Sequence, residues 1–310
     1  MPDINSCALV FPGQGSQKVG MGKDLFENST PARAVFEQAD KVLGTALSGL
    51  CFEGPEDDLR QTQNAQPALL TMSLACFEAA REKVGSSAVK PLFLAGHSLG
   101  EYTALAVAGV IDYPAAIFLA RERGRLMNEA GRQNPGAMAA ILGLEEPAVE
   151  AICRQSNTWL ANINCPGQLV ISGSKDNIEK ALAAAKAAGA ARALPLQVSG
   201  AFHSPLMQQA ADGLYKVLAD ISLKDPQIPI IANTTAEPLT SARQIKDELM
   251  YQLCHSVQWQ KSVEYMLQQG TGKFIEIGSG NVLSGLIKRI DKTVALLNIG
   301  NLNELENLAA

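Results

Sequence analysis

Histidine, cysteine and tryptophan are scarce in this chain of 310 residues, which holds 3 His, 6 Cys and 2 Trp. The cysteines (Cys7, Cys51, Cys76, Cys153, Cys165, Cys254) are scattered and form no C-x-x-C pair. Neither a zinc site nor a disulfide framework is therefore expected, and the thiols read as reduced and buried. Charge of one sign is also missing. Lys+Arg number 26 against 31 Asp+Glu, a net charge of -5 with no dense basic run, which argues against a nucleic-acid or membrane binder driven by electrostatics. No window reaches the roughly 18 uncharged apolar residues of a membrane span. The start, Met1-Pro-Asp-Ile-Asn-Ser, has no basic region and no cleavable apolar stretch, so a cytoplasmic location is expected. No internal repeat or low-complexity tract is present. With 47% hydrophobic and 18% charged residues the chain reads as an ordinary globular protein, one large core carrying a smaller inserted lobe.

Residues 8–11 are a short apolar run that ends in Pro12-Gly13-Gln14-Gly15-Ser16-Gln17, the pattern of a buried strand entering a glycine-rich turn. Helices are expected over 31–50 and 67–84. Residues 91–95 read as a second buried strand, Gly96-His97-Ser98-Leu99-Gly100 as a sharp turn, and 101–110 as a helix. That order implies a buried parallel sheet. From 136 to 199 the rhythm changes: strand 137–142, helix 147–154, strands 159–164 and 168–172 joined by Cys165-Pro166-Gly167, a helix capped by Asp176 and running to 188, and strand 192–198. This β-α-β-β-α-β succession predicts a ferredoxin-like lobe. The expected fold is α/β: a hydrolase-like parallel sheet over 1–133 and 204–310, with the small lobe inserted at 134–203. Strands over 228–233 and 274–278 would complete the main sheet.

Gly96-His97-Ser98-Leu99-Gly100 is a G-x-S-x-G sequence in the strand-turn-helix setting that a nucleophile elbow needs. Such a turn exposes the serine hydroxyl at a helix N-terminus, with the Leu99 N–H available to an oxyanion. A serine requires a base, and three histidines are present. His97 adjoins Ser98, and neighbouring side chains diverge, so it reads as a wall of the site. His203, in Gly200-Ala201-Phe202-His203-Ser204, follows a predicted strand between the lobes and is preferred to His255. The Gly13–Gly15 turn fits neither a P-loop nor a dinucleotide fingerprint, which leaves a second oxyanion N–H as its use. Arg121-Glu122-Arg123-Gly124-Arg125 reads first as a solvated helix face.

Taken together, Phe11–Gln17, Gly96–Tyr102, the Arg123 helix, Asn162-Ile163-Asn164-Cys165-Pro166-Gly167-Gln168, Gly200–Ser204 and Val257-Gln258-Trp259 resemble the malonyl-CoA:acyl carrier protein transacylases of type II fatty acid synthesis, relatives of polyketide acyltransferase domains. The resemblance runs along nearly the whole chain. It implies a hydrolase-like subdomain with a ferredoxin-like insert, Ser98 as the acylated nucleophile and His203 as base and acid. It also implies oxyanion N–H groups from Gln14 and Leu99, a malonyl carboxylate on Arg123, and a main-chain carbonyl near Gln252 orienting His203. His97, Phe202 and Asn162 would contact substrate, with Phe202 and Leu99 of malonyl-selective type. The implied partners are malonyl-CoA and acyl carrier protein, with no metal or redox cofactor. Lys288 and Arg289 are candidates for carrier docking. A serine hydrolase using the same elbow, with an acid and His255, is the alternative. A non-catalytic docking module is disfavoured by the Ser98, His203 and Arg123 set.

Overall fold

The computed structural model describes residues 6–85 and 90–309, so the chain start read above lies outside the described residues. Among the described residues ten strands run in chain order: β1 (Cys7–Phe11), β2 (Phe93–Gly96), β3 (Gly136–Leu142), β4 (Trp159–Cys165), β5 (Gln168–Ser174), β6 (Arg192–Pro195), β7 (Ile230–Ile231), β8 (Pro238–Leu239), β9 (Lys273–Ile277) and β10 (Ala295–Ile299). They form a sheet of order β10-β9-β1-β2-β7-β8 and a second of order β4-β5-β3-β6.

In the first sheet every pairing is parallel except β7 with β8 at the edge. Alternation along β1 explains how both faces are covered. Leu9 and Phe11 enter the core that contains Phe36, Leu69 and Met72, whereas Ala8 and Val10 pack with Trp259, Val263 and Phe274. All six cysteines are buried.

The second sheet is antiparallel throughout, and its strand order is that of the ferredoxin-like pattern expected from sequence. Ile141 and Ile171 of this sheet share a core with Val149 and Ile152 of the helix Glu146–Ser156 and with Ile178 of the helix Lys175–Ala187. Two backbone bonds join the lobe to the body: Ile163 N–H to Val257 O at 2.9 Å and Val257 N–H to Ala161 O at 2.9 Å.

Several element boundaries differ from the sequence reading. The expected 31–50 helix is two, Thr30–Leu43 and Leu47–Glu53, because Gly44 adopts φ 61° and terminates the first. The 67–84 helix begins five residues earlier, at Thr62, with Pro67 inside it, since Thr62, Ala65 and Gln66 are buried. Gly124 of the helix Tyr113–Gln133 lets that segment approach: a Cβ there would stand 2.6 Å from Thr62 O. Ser174, not Asp176, caps the Lys175–Ala187 helix, its side chain accepting from Asn177 N–H at 3.4 Å. The strand expected over 192–198 ends at Pro195, and that expected over 228–233 is only Ile230–Ile231.

Candidate active site

β2 ends at Gly96, and the helix Gly100–Val107 begins four residues on. Between them Ser98 takes φ 51°, a left-handed conformation that costs a non-glycine residue about 1–3 kcal/mol. The flanking glycines are required by contact. A Cβ on Gly96 would lie 1.9 Å from Gly100 C, and one on Gly100 would lie 2.0 Å from Phe11 O. Asn233, just after β7, clamps the turn: its Nδ2 donates to Gly96 O at 2.7 Å and its Oδ1 accepts from Ser98 N–H at 2.7 Å. Leu99 is buried and directly precedes the helix. The glycine turn after β1 packs on the elbow, since a Cβ on Gly13 would meet His97 O at 2.3 Å. Gln14 follows, its Nε2 donating to Thr62 Oγ1 at 3.3 Å.

Three groups converge on the serine oxygen and its base. His203, also at positive φ (56°), places Nε2 2.8 Å from Ser98 Oγ, and its Nδ1 lies 2.9 Å from Gln252 O. The carbonyl can only accept, so Nδ1 carries the proton and Nε2 is left as acceptor. Burial, then the neighbouring Arg123 charge, push the imidazole pKa down to about 3, which keeps it neutral. Arg123 is buried; its Nη2 donates to Ser98 Oγ at 3.1 Å and to Gln252 Oε1 at 2.8 Å, and Nη1 donates to Gln66 Oε1 at 2.9 Å. Its guanidinium lies 5.0 Å from the Tyr102 ring centroid.

Gln252 thus holds the His203 imidazole through its backbone and the Arg123 guanidinium through its side chain. Its Nε2 donates to Ser98 O at 3.1 Å and to Glu101 Oε2. Glu101 is wholly buried, and burial together with the nearby Glu248 holds its carboxyl well above the usual carboxylate range. His97 lies in the turn, packed between Asn164 and Trp259. Its Nε2 is 2.9 Å from Asn164 Oδ1, its ring is 5.8 Å from that of Trp259, and burial lowers its pKa.

Residues 8–295 match the acyl transferase domain family. The chain belongs to that family. It is 44% identical over 308 residues to the malonyl CoA-acyl carrier protein transacylase of Bacillus subtilis strain 168, covering 98% of this chain and 96% of the relative. The Escherichia coli K12 protein of the same name is 44% identical over 307 residues, covering 98% and 97%. Among solved structures, an acyl carrier protein S-malonyltransferase from Vibrio cholerae superposes with a TM-score of 0.93 at 45% identity, covering 98% of this chain and 100% of that one. A malonyl-transacylase in complex with its type II PKS acyl-carrier protein gives a TM-score of 0.94 at 43% identity, covering 98% of each chain.

Other acyl transferase positions read from sequence fall less neatly. The side chain that reaches His97 is Asn164, a residue given no role from sequence. β4 has register breaks between Leu160 and Asn162 and between Ile163 and Cys165, so Asn164 is an extra residue outside the pairing with β5, as in a bulge that re-aims a side chain. Asn162 is instead buried where β4 bridges to Val257. Phe202 packs into the main core. His255 is exposed, stacked 4.0 Å from the Tyr251 ring with Nδ1 on Tyr251 O, and it is not brought to Ser98. Lys288 and Arg289 lie exposed at the end of the helix Val282–Ile290. Lys288 donates to Lys292 O at 2.6 Å and Arg289 to Gln168 Oε1 at 2.6 Å. Sequence reasoning gave no role to Asn233, Gln66 or Glu101, because Asn233 acts on the backbone of a distant turn and the other two act through the side chains of Arg123 and Gln252. Among the described residues no helix is long and apolar enough to cross a membrane, and no group of three or more His, Cys, Asp or Glu stands ready to ligate a metal.

Proposed function

We propose that this chain transfers the malonyl group of malonyl-CoA to the phosphopantetheine thiol of acyl carrier protein through an ester on Ser98. The observation that carries the reading is the meeting of a neutral imidazole and a buried guanidinium on one serine oxygen, at 2.8 and 3.1 Å. His203 Nε2 takes the hydroxyl proton as Ser98 Oγ attacks the thioester carbonyl. The N–H groups of Leu99 and Gln14 hold the tetrahedral oxyanion, each such donor being worth about 3 kcal/mol. The C–S bond then breaks, and the coenzyme A sulfur leaves with the proton from His203. In the second half the carrier thiol gives its proton to His203 and attacks the seryl ester; the ester C–O bond breaks and His203 returns the proton to Ser98 Oγ. Every step uses groups of this chain and its two substrates, with no cofactor.

Arg123 supplies the preference for a dicarboxylic acyl group. Its planar fork pairs with the free malonyl carboxylate, exchanging its bond to Ser98 for a charge-assisted one. That exchange also acts on the base. The Arg123 charge depresses the His203 pKa, so a carboxylate bound to Arg123 restores basicity when substrate is in place. His97, fixed by Asn164, walls the acyl pocket, and Phe202 backs it from the core. The hydrolase alternative is disfavoured by the partner of His203 Nδ1, a main-chain carbonyl where a hydrolase triad has a carboxylate. We assign residues 1–133 and 204–310 to the large subdomain and 134–203 to the small one. Scattered buried cysteines suit a reducing cytoplasm.

The test is mass spectrometry of the protein after malonyl-CoA, with and without holo acyl carrier protein. A malonyl adduct on Ser98 that moves to the carrier is expected. Malonate released at the same rate without carrier, or an adduct on another residue, overturns the reading.

A further inference from the structure

On the face of the main sheet covered by the helix Thr62–Val84, away from Ser98, His203 and Arg123, lies a cavity of about 1220 Å³. Small-molecule sites usually enclose about 300–1,000 Å³, so it is large enough for a ligand. Its floor is built by strand alternation. Lys273, Ile275 and Ile277 of β9 all border it, and the register sets Ile275 between Leu9 of β1 and Leu297 of β10. The floor is therefore a strip about 13 Å long, at a rise of about 3.3 Å per residue, apolar along its length and ending in a lysine at the strand start. Phe77 and Val107 border it from the helices that cover this face.

The carboxylates in the lining already have partners. Glu78 is neutralised by Arg81 at 2.6 Å and accepts from the Tyr113 hydroxyl at 2.5 Å, and Asp112 is used as a helix cap. Lys224 also borders the cavity, on a loop held by two backbone bonds, Lys224 N–H to Val110 O at 3.0 Å and Gln227 N–H to Ala108 O at 2.9 Å. Among the described residues neither Lys224 nor Lys273 is in an ion pair, and each borders a cavity whose strand floor is apolar.

We propose that this cavity binds a linear aliphatic carboxylate, its chain laid along the Ile275–Ile277 strip and its anionic head on Lys273 and Lys224. An unpaired cation beside an apolar slot is matched by an amphiphilic anion and by neither a neutral hydrocarbon nor a cation.

The experiment is calorimetric titration of the full chain with octanoate, decanoate and dodecanoate below their micelle concentrations. Dodecyltrimethylammonium serves as the same tail with opposite charge. Affinity should rise roughly fourfold per methylene as apolar surface is buried. The carboxylate should bind at least tenfold tighter than the ammonium, and Lys224→Glu with Lys273→Glu should remove that preference, more at low salt than at high. Val107→Trp, verified folded by its thermal transition, should block binding by filling the slot. Because Arg123 could also hold a carboxylate, the Arg123→Ala protein is titrated in parallel and should bind dodecanoate unchanged. Loss of binding in Arg123→Ala, affinity independent of chain length, equal affinity for the two head groups, or no saturable binding each overturns the proposal.

Discussion

In the proposed reaction one side chain, Arg123, serves both selectivity and the protonation state of His203. Its guanidinium is buried and held by the neutral side chains of Gln66, Gln252 and Ser98, so it presents an unbalanced charge to the pocket. Arg123→Ala should lower kcat/KM for malonyl-CoA by about 30-fold or more, the loss of about 2–5 kcal/mol typical of a truncated desolvated pair, and leave acetyl-CoA unharmed. Equal losses for both substrates would assign Arg123 to the fold alone. The pH profile gives a second readout. The neutral imidazole is the active form, so with its pKa at about 3 the acid limb of kcat/KM lies well below neutrality. Removing the Arg123 charge raises that pKa and moves the limb upward, still short of the ordinary 6.5 because burial, the larger cause, remains. A limb that stays or moves down would refute the coupling. His203→Ala should abolish both half reactions while His255→Ala, exposed and stacked on Tyr251, retains most activity; transfer assays with each carrier and donor decide it. The pairing of Ser98 with His203 was legible in the sequence because an elbow and a scarce residue type leave few choices. Asn233 was not, since an asparagine after a two-residue strand carries no pattern that tells of a clamp 135 positions away in the chain.

At the scale of elements, the strand-turn-helix around Ser98 followed from composition because its glycines answer to local sterics. Gly100→Ala puts a methyl 2.0 Å from Phe11 O, a backbone atom that can move only by displacing β1. It should therefore destabilise the fold by several kcal/mol, read as a large fall in thermal transition temperature. Gly285→Ala, with open space at its Cβ and a place within the Val282–Ile290 helix, should be neutral or stabilising. If both variants melted together, steric closure at the elbow would not be what fixes these glycines. Boundaries were less legible than element types. Pro67 read as a helix start, yet tertiary burial of Gln66 against Arg123 extends the helix past it. The register breaks in β4 also interrupt plain alternation around Asn162 and Asn164, which the sequence pattern does not announce.

For the whole molecule, the two sheets meet where β4 joins Val257, and the helix Val282–Ile290 reaches the small lobe through Arg289 and Gln168. This end of the helix presents Lys288 and Arg289 together, and among the described residues neither is in an ion pair. On a chain of net charge -5, an acidic carrier is repelled on average and must find a local positive patch. Charge reversal at both residues, Lys288→Glu with Arg289→Glu, should therefore raise KM for acyl carrier protein several-fold at low ionic strength and much less at high salt, since exposed charges are screened within about 10 Å at 0.1 M. The same variant should leave KM for malonyl-CoA and the yield of Ser98 ester unchanged, because the acyl-binding groups lie on other elements. A fall in ester yield would mean that losing the Arg289–Gln168 bond had disturbed the lobe. An unchanged salt dependence of the carrier half reaction would move the docking surface elsewhere on the molecule.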